Sequence, residues 1–118
     1  MERFNRSIRS GSNKKILDTA NLTDAVPTRT HIVNTKGIRD LMVAITSDKG
    51  CTVIITPIDD VDDETALGLV SSTGVVADGG SSNRFLYESI TAPKARVVIT
   101  KTESGSTTAF RCSIRGQV

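Results

Sequence analysis

Tryptophan is absent from this 118-residue chain, tyrosine occurs once and phenylalanine three times. A sugar site built on exposed aromatic platforms has little to draw on here, and the core must be aliphatic. Histidine is also scarce. His31 stands alone, and Cys51 and Cys112 lie 61 residues apart with no CxxC or Cys/His metal spacing, so no metal site or cofactor is expected. Nucleophilic catalysis would need a Ser or Cys beside His31 and a third orienting group, and no motif supplies them. The G-x-G-x-x-G and Walker patterns are missing, and Gly79-Gly80 precedes no helix, so no phosphate loop is expected. No apolar run approaches the roughly 18–20 residues of a membrane span. The basic N-terminus leads into polar residues from Asn5 to Lys15, so no signal peptide is expected either. The sequence thus carries no catalytic signature, and an enzyme is not expected.

What the chain has instead is β-branched weight. Eleven Val, eleven Ile and fifteen Thr make up nearly a third of it, which favours strands over helices. The length suits one domain. Period-2 alternation recurs between turn signals from residue 16 onward. Candidate strands run over 16–20, 30–34, 38–46, 51–56, 84–90, 95–102 and 107–115, with weaker ones at 66–71 and 73–77. Ser47-Asp48-Lys49-Gly50 reads as a hairpin turn between two of them, Pro57 as marking a strand end or an edge strand and 78–83 as a loop. Seven or eight short strands with turns roughly every 8–12 residues predict an all-β fold, an antiparallel β-sandwich of jelly-roll or Ig-like type spanning 16–118. The alternation assigns Val43, Ile45, Val53, Ile55, Leu86, Val97, Ile99, Phe110 and Ile114 to the core. Ile54 and Val98 are able to replace their neighbours, because those runs are apolar on both faces. Cys51 and Cys112 fall in apolar runs and read as buried thiols of a reducing compartment, or as a bridge if their strands meet.

The charge is nearly balanced, at +2, but unevenly placed. Residues 1–15 form a basic N-terminal arm with a local charge of +4. Phe4 and Ile8, four apart, can share one face of a helical turn among Arg3, Arg6 and Arg9, a partner-binding pattern that orders only against another surface. The near-neutral body and lack of aromatic interleaving argue against nucleic acid as the partner. The run Asp59, Asp60, Asp62, Asp63 and Glu64 carries a local charge of −5. Its spacing is not an EF-hand loop, and it reads as a solvated loop or one that meets a basic partner.

The stretch from Tyr87 to Thr100 (YESITAPKARVVIT), followed by a Gly-containing turn and Thr108 to Gly116 (TAFRCSIRG), resembles the closing strands of small β-sandwich virion proteins of tailed phages. Capsid decoration (cement) proteins and some tail or neck components share that pattern. The resemblance implies a structural role. The chain would be a non-enzymatic virion protein, made in the host cytoplasm, that binds the major capsid protein or another virion protein on the outer shell and stabilises it, as a homo-oligomer away from membranes. A tail or head–tail connector component is the alternative in the same class. A carbohydrate- or host-binding sandwich module is the alternative from another.

Overall fold

The computed structural model describes residues 15–59, 72–88 and 90–117. Eight strands and no helix occur among them. They are β1 (Lys15–Asp18), β2 (Thr28–Asn34), β3 (Asp40–Ser47), β4 (Cys51–Ile58), β5 (Ser72–Val76), β6 (Ser81–Tyr87), β7 (Lys94–Lys101) and β8 (Arg111–Gln117). They form two four-stranded antiparallel sheets, ordered β1-β8-β3-β6 and β2-β7-β4-β5. Consecutive strands change sheet at every step except β4 to β5. This interleaving of an eight-stranded chain into two sheets is the jelly-roll arrangement, and it decides between the two sandwich types that the strand spacing allows.

The expected core forms between the sheets. Leu41, Val43 and Ile45 of β3 and Cys112 and Ile114 of β8 face Cys51, Val53 and Ile55 of β4 and Ala95, Val97 and Ile99 of β7, all nearly inaccessible to solvent. Leu22 and Phe110 are buried with them. Each large aliphatic side chain removed from water contributes roughly 1.5–3 kcal/mol before ordering costs. Ile54 and Val98 point the other way, as outward members of their strands.

Several expectations are corrected. Leu86 is not in the core. It is 49% exposed, and Phe85 takes the inward position on β6. Phe85 reaches across the sandwich to Gly74 of β5, where any Cβ would overlap its ring. Ser47–Gly50 is not a hairpin turn, because β3 and β4 lie in different sheets and the segment is a corner between them. Pro57 lies inside β4 rather than at its end, paired in register with Ala95 of β7. Ser81, Ser82 and Asn83 pair with β3 rather than forming loop. Residues 107–110 precede β8, and Thr108 is exposed while Thr107 is buried.

Among the described residues β1 and β2 are the outermost strands on one side of the two sheets, and charge ties them together. Asp18 on β1 accepts hydrogen bonds from Arg29 and from His31 Nε2 (2.9 Å) on β2, tying one sheet to the other. Charged groups turned inward at an edge also discourage further strands from adding there.

Candidate interaction surface

The polar groups inside the fold are committed to holding it. Cys112 pairs in register with Asp18, which brings a thiol, a carboxylate and His31 into one neighbourhood. The set does not form a nucleophilic triad. The His31 nitrogen is bonded to Asp18, and the Cys112 sulfur is fully buried, its thiol pushed up to about 12 by burial and further disfavoured from ionising by the Asp18 charge. Burial alone would raise Asp18, but bonds from Arg29, the Ala20 N–H and His31 outweigh it and hold the carboxyl below its usual value. Cys51 is likewise buried, with its thiol raised by burial and its Sγ near Ser47 Oγ and the Lys49 carbonyl. Both cysteines are free and lie in opposite sheets, unbridged.

At the end of the sandwich, three carboxylates knit the loops together. Asp48 accepts from the Thr108 N–H and hydroxyl and from the Ala109 N–H, which lower its pKa to about 2. Glu103 accepts from the N–H groups of Gly50 (2.9 Å) and Gly79 (2.8 Å), and is lowered by them. Asp24 takes the buried Lys101 ammonium at 2.6 Å and the Gly105 N–H, which lower it in turn. These oxygens are spent on backbone N–H groups, one hydroxyl and one cation. Among the described residues no group of three or more His, Cys, Asp and Glu is placed to hold a metal ion.

The outer face of the β1-β8-β3-β6 sheet is different. Strand register places Leu17, Ser113, Ala44 and Arg84 in one cross-strand row, and Lys15, Arg115, Met42 and Leu86 in the next. A third row carries Arg111, Thr46 and Ser82. Small Ser113 and Ala44 at the centre leave a shallow cavity of about 170 Å³, lined also by Met42, Arg84 and Arg115. Leu17 and Leu86 are each about half exposed. Lys15, Arg84, Arg111 and Arg115 have no carboxylate partner among the described residues. Asp40 stands at one end of this face, close to Arg39. The opposite sheet presents a neutral counterpart. Its outward rows join Thr28, Thr100, Thr52 and Val75, then Thr30, Val98, Ile54 and Thr73, and among the described residues of these rows charge enters with Arg96 and Lys94.

The arm residues Arg3, Phe4, Arg6, Ile8 and Arg9 lie outside the described residues, as do Asp60, Asp62, Asp63 and Glu64. Asp59 follows the end of β4 and is half-buried. The cationic face was not among the expected sites. The alternation of the last strand does show Arg111 and Arg115 on its wet phase, but Arg84 shares the phase of Leu86, which the alternation turns inward. Only the pairing of β8 between β1 and β3 gathers them around Met42.

No protein-family model matches the chain, and neither does the sequence of any curated protein. Among solved structures it is similar to the pre-peptidase C-terminal domain of a collagenase from Bacillus anthracis, at TM-score 0.52 and 12% identity over 89% of each chain. Fainter likenesses connect it to Bacillus endospore appendages, which are disulfide-linked pili (TM-score 0.43, 21% identity, 90% of this chain and 87% of that one). A de novo designed double-stranded β-helix compares in the same way (TM-score 0.42, 14% identity, 88% and 99%). At such identities the likeness concerns fold alone, and the chain is a small β-sandwich domain.

Proposed function

We propose that this chain is a non-enzymatic structural protein of a virion, one that binds the outer surface of a capsid, with the major capsid protein as partner, and reinforces the shell. The observation that carries this reading is how its functional groups are distributed. Its thiols are buried and its histidine and loop carboxylates are engaged in internal bonds, while among the described residues one sheet face presents cations with no carboxylate partner. The likeness of residues 87–116 to the closing strands of phage decoration proteins supports the assignment to a virion. A protein that binds only the assembled shell stabilises it by mass action, because separation of the subunits must then also release the bound copies. The sugar-binding alternative loses ground, since the single tyrosine, Tyr87, sits inward and half-buried against the core rather than as an exposed platform.

Antibody raised against the purified chain should label the outside of virions recovered from its source culture at regular lattice positions in negative stain. The chain should also co-sediment with empty shells of the same virus. Unlabelled virions and shells that sediment without it would overturn the reading.

A further inference from the structure

We propose that the outward face of the β1-β8-β3-β6 sheet is the attachment surface, and that it takes an acidic protein surface with an apolar centre. The inference rests on the capsid-binding reading for the partner's location, but the chemistry of the face stands by itself. Arg29 meets Asp18 and Lys101 meets Asp24 elsewhere in the domain. On this face four cations gather with no carboxylate partner among the described residues. Folding does not require such a cluster, and mutual repulsion opposes it, so a counter-charge from outside is the natural complement.

The centre of the face selects among anionic partners. Arg84 and Arg115 line the cavity together with Met42, Ala44 and Ser113, and Leu86, paired with Met42, is half exposed. Apolar side chains ringed by arginine are the anatomy of a protein interface, where Met and Arg are both enriched. Met adapts its shape to a partner, and each Arg can hold a carboxylate through two parallel bonds. A nucleic-acid backbone would satisfy the arginines but would leave Met42 and Leu86 facing sugar and phosphate. The outward rows of this face hold no aromatic ring on which a base stacks. Lys15, the last residue of the basic N-terminal segment, lies directly opposite Arg115 on the same face.

The test pairs two probes with charge-matched variants. The probes are empty shells of the source virus and a synthetic peptide rich in Glu and Leu, the latter titrated into isotopically labelled chain and followed by amide NMR shifts. The variants are R84Q/R115Q on the face and T73E/V75E on the opposite sheet, which change net charge equally, together with L86S. All five positions point outward, so folding is checked by an unchanged melting temperature. Peptide-induced shifts should map to β1, β8, β3 and β6. R84Q/R115Q should weaken both probes by about tenfold or more. L86S should weaken them measurably, and T73E/V75E should change them by less than about twofold.

Equal losses in the two double variants would show that only net charge matters and would overturn the inference. So would shifts mapping to another surface, or shell binding by R84Q/R115Q at wild-type strength. Tighter binding of a duplex DNA than of the peptide on the same residues would assign the face to nucleic acid instead. Self-association of the wild type that R84Q/R115Q abolishes would make a second copy the occupant, also overturning it. A wild type that binds the peptide on this face but not the shells would leave the surface standing and remove the capsid reading alone.

Discussion

Replacing Gly80 by alanine tests whether the corner between the two sheets is as rigid as its hydrogen bonds imply. Gly79 and Gly80 both adopt positive φ, +89° and +85°. An alanine in that region costs about 1–2 kcal/mol. About 0.4–1 kcal/mol returns through a stiffer unfolded chain. At Gly79 nothing else enters, because an added Cβ has no atom within 4 Å, so Gly79→Ala should cost about 0–1.5 kcal/mol. At Gly80 the same Cβ would overlap the Ser47 carbonyl oxygen and the Asp48 Cα, both backbone atoms. They cannot easily retreat. Asp48 is held by Thr108 and Ala109, and Glu103 grips Gly50 and Gly79 on either side. Overpacking of this kind adds about 1–3 kcal/mol. For a chain of this length 1 kcal/mol corresponds to about 4 °C in melting temperature. Gly80→Ala should therefore melt about 4–12 °C below Gly79→Ala, with a matching fall in the urea midpoint and an unchanged slope. Two variants within about 0.5 kcal/mol of each other would refute the claim that the bonded corner cannot yield.

Phe110→Ala should cost about 3–5 kcal/mol in urea denaturation, as its ring is 3% exposed within the core, whereas outward Leu86→Ser should cost less than about 1 kcal/mol. Thiol reagent at pH 8 should label Cys51 and Cys112 only at the rate of unfolding, since both are buried with raised thiol pKa values; a rapid burst of labelling in native protein would contradict the packing. Asp18, Asp24, Asp48 and Glu103 all have folded-state values below their ordinary 3.8 or 4.5. Their stabilisation is complete above those ordinary values and is lost as pH falls through the lowered ones, so the melting temperature should drop between pH 4.5 and about 2 and D48N should flatten the acid end of that curve. Removing residues 2–12 should weaken shell attachment by about tenfold, through loss of Phe4, Ile8 and the arm's arginines.

The sequence by itself determined that the chain is all-β and placed eight of the nine core residues it assigned. Period-2 alternation needs no knowledge of partners, since Leu41, Val43 and Ile45 must share a face wherever β3 is placed. It erred at Leu86 because Phe85-Leu86 offers an apolar residue to either phase; contact with Gly74, on a strand from the other sheet, chose Phe85. The topology was not legible. A Ser-Asp-Lys-Gly turn suits a hairpin as well as a corner, and both leave Ile45 and Val53 buried. The bonds that make it a corner come from Glu103, Thr108 and Ala109, more than fifty residues away. The candidate surface depended on the tertiary structure for the same reason. Arg111 and Arg115 are visible as solvent-phase residues, Arg84 only once Leu86 is turned outward, and a cationic face exists only once β8 pairs with β1 and β3 and β6 pairs with β3. Alternation fixes which side of a strand is wet, whereas the neighbour that shares that side is set by long-range pairing.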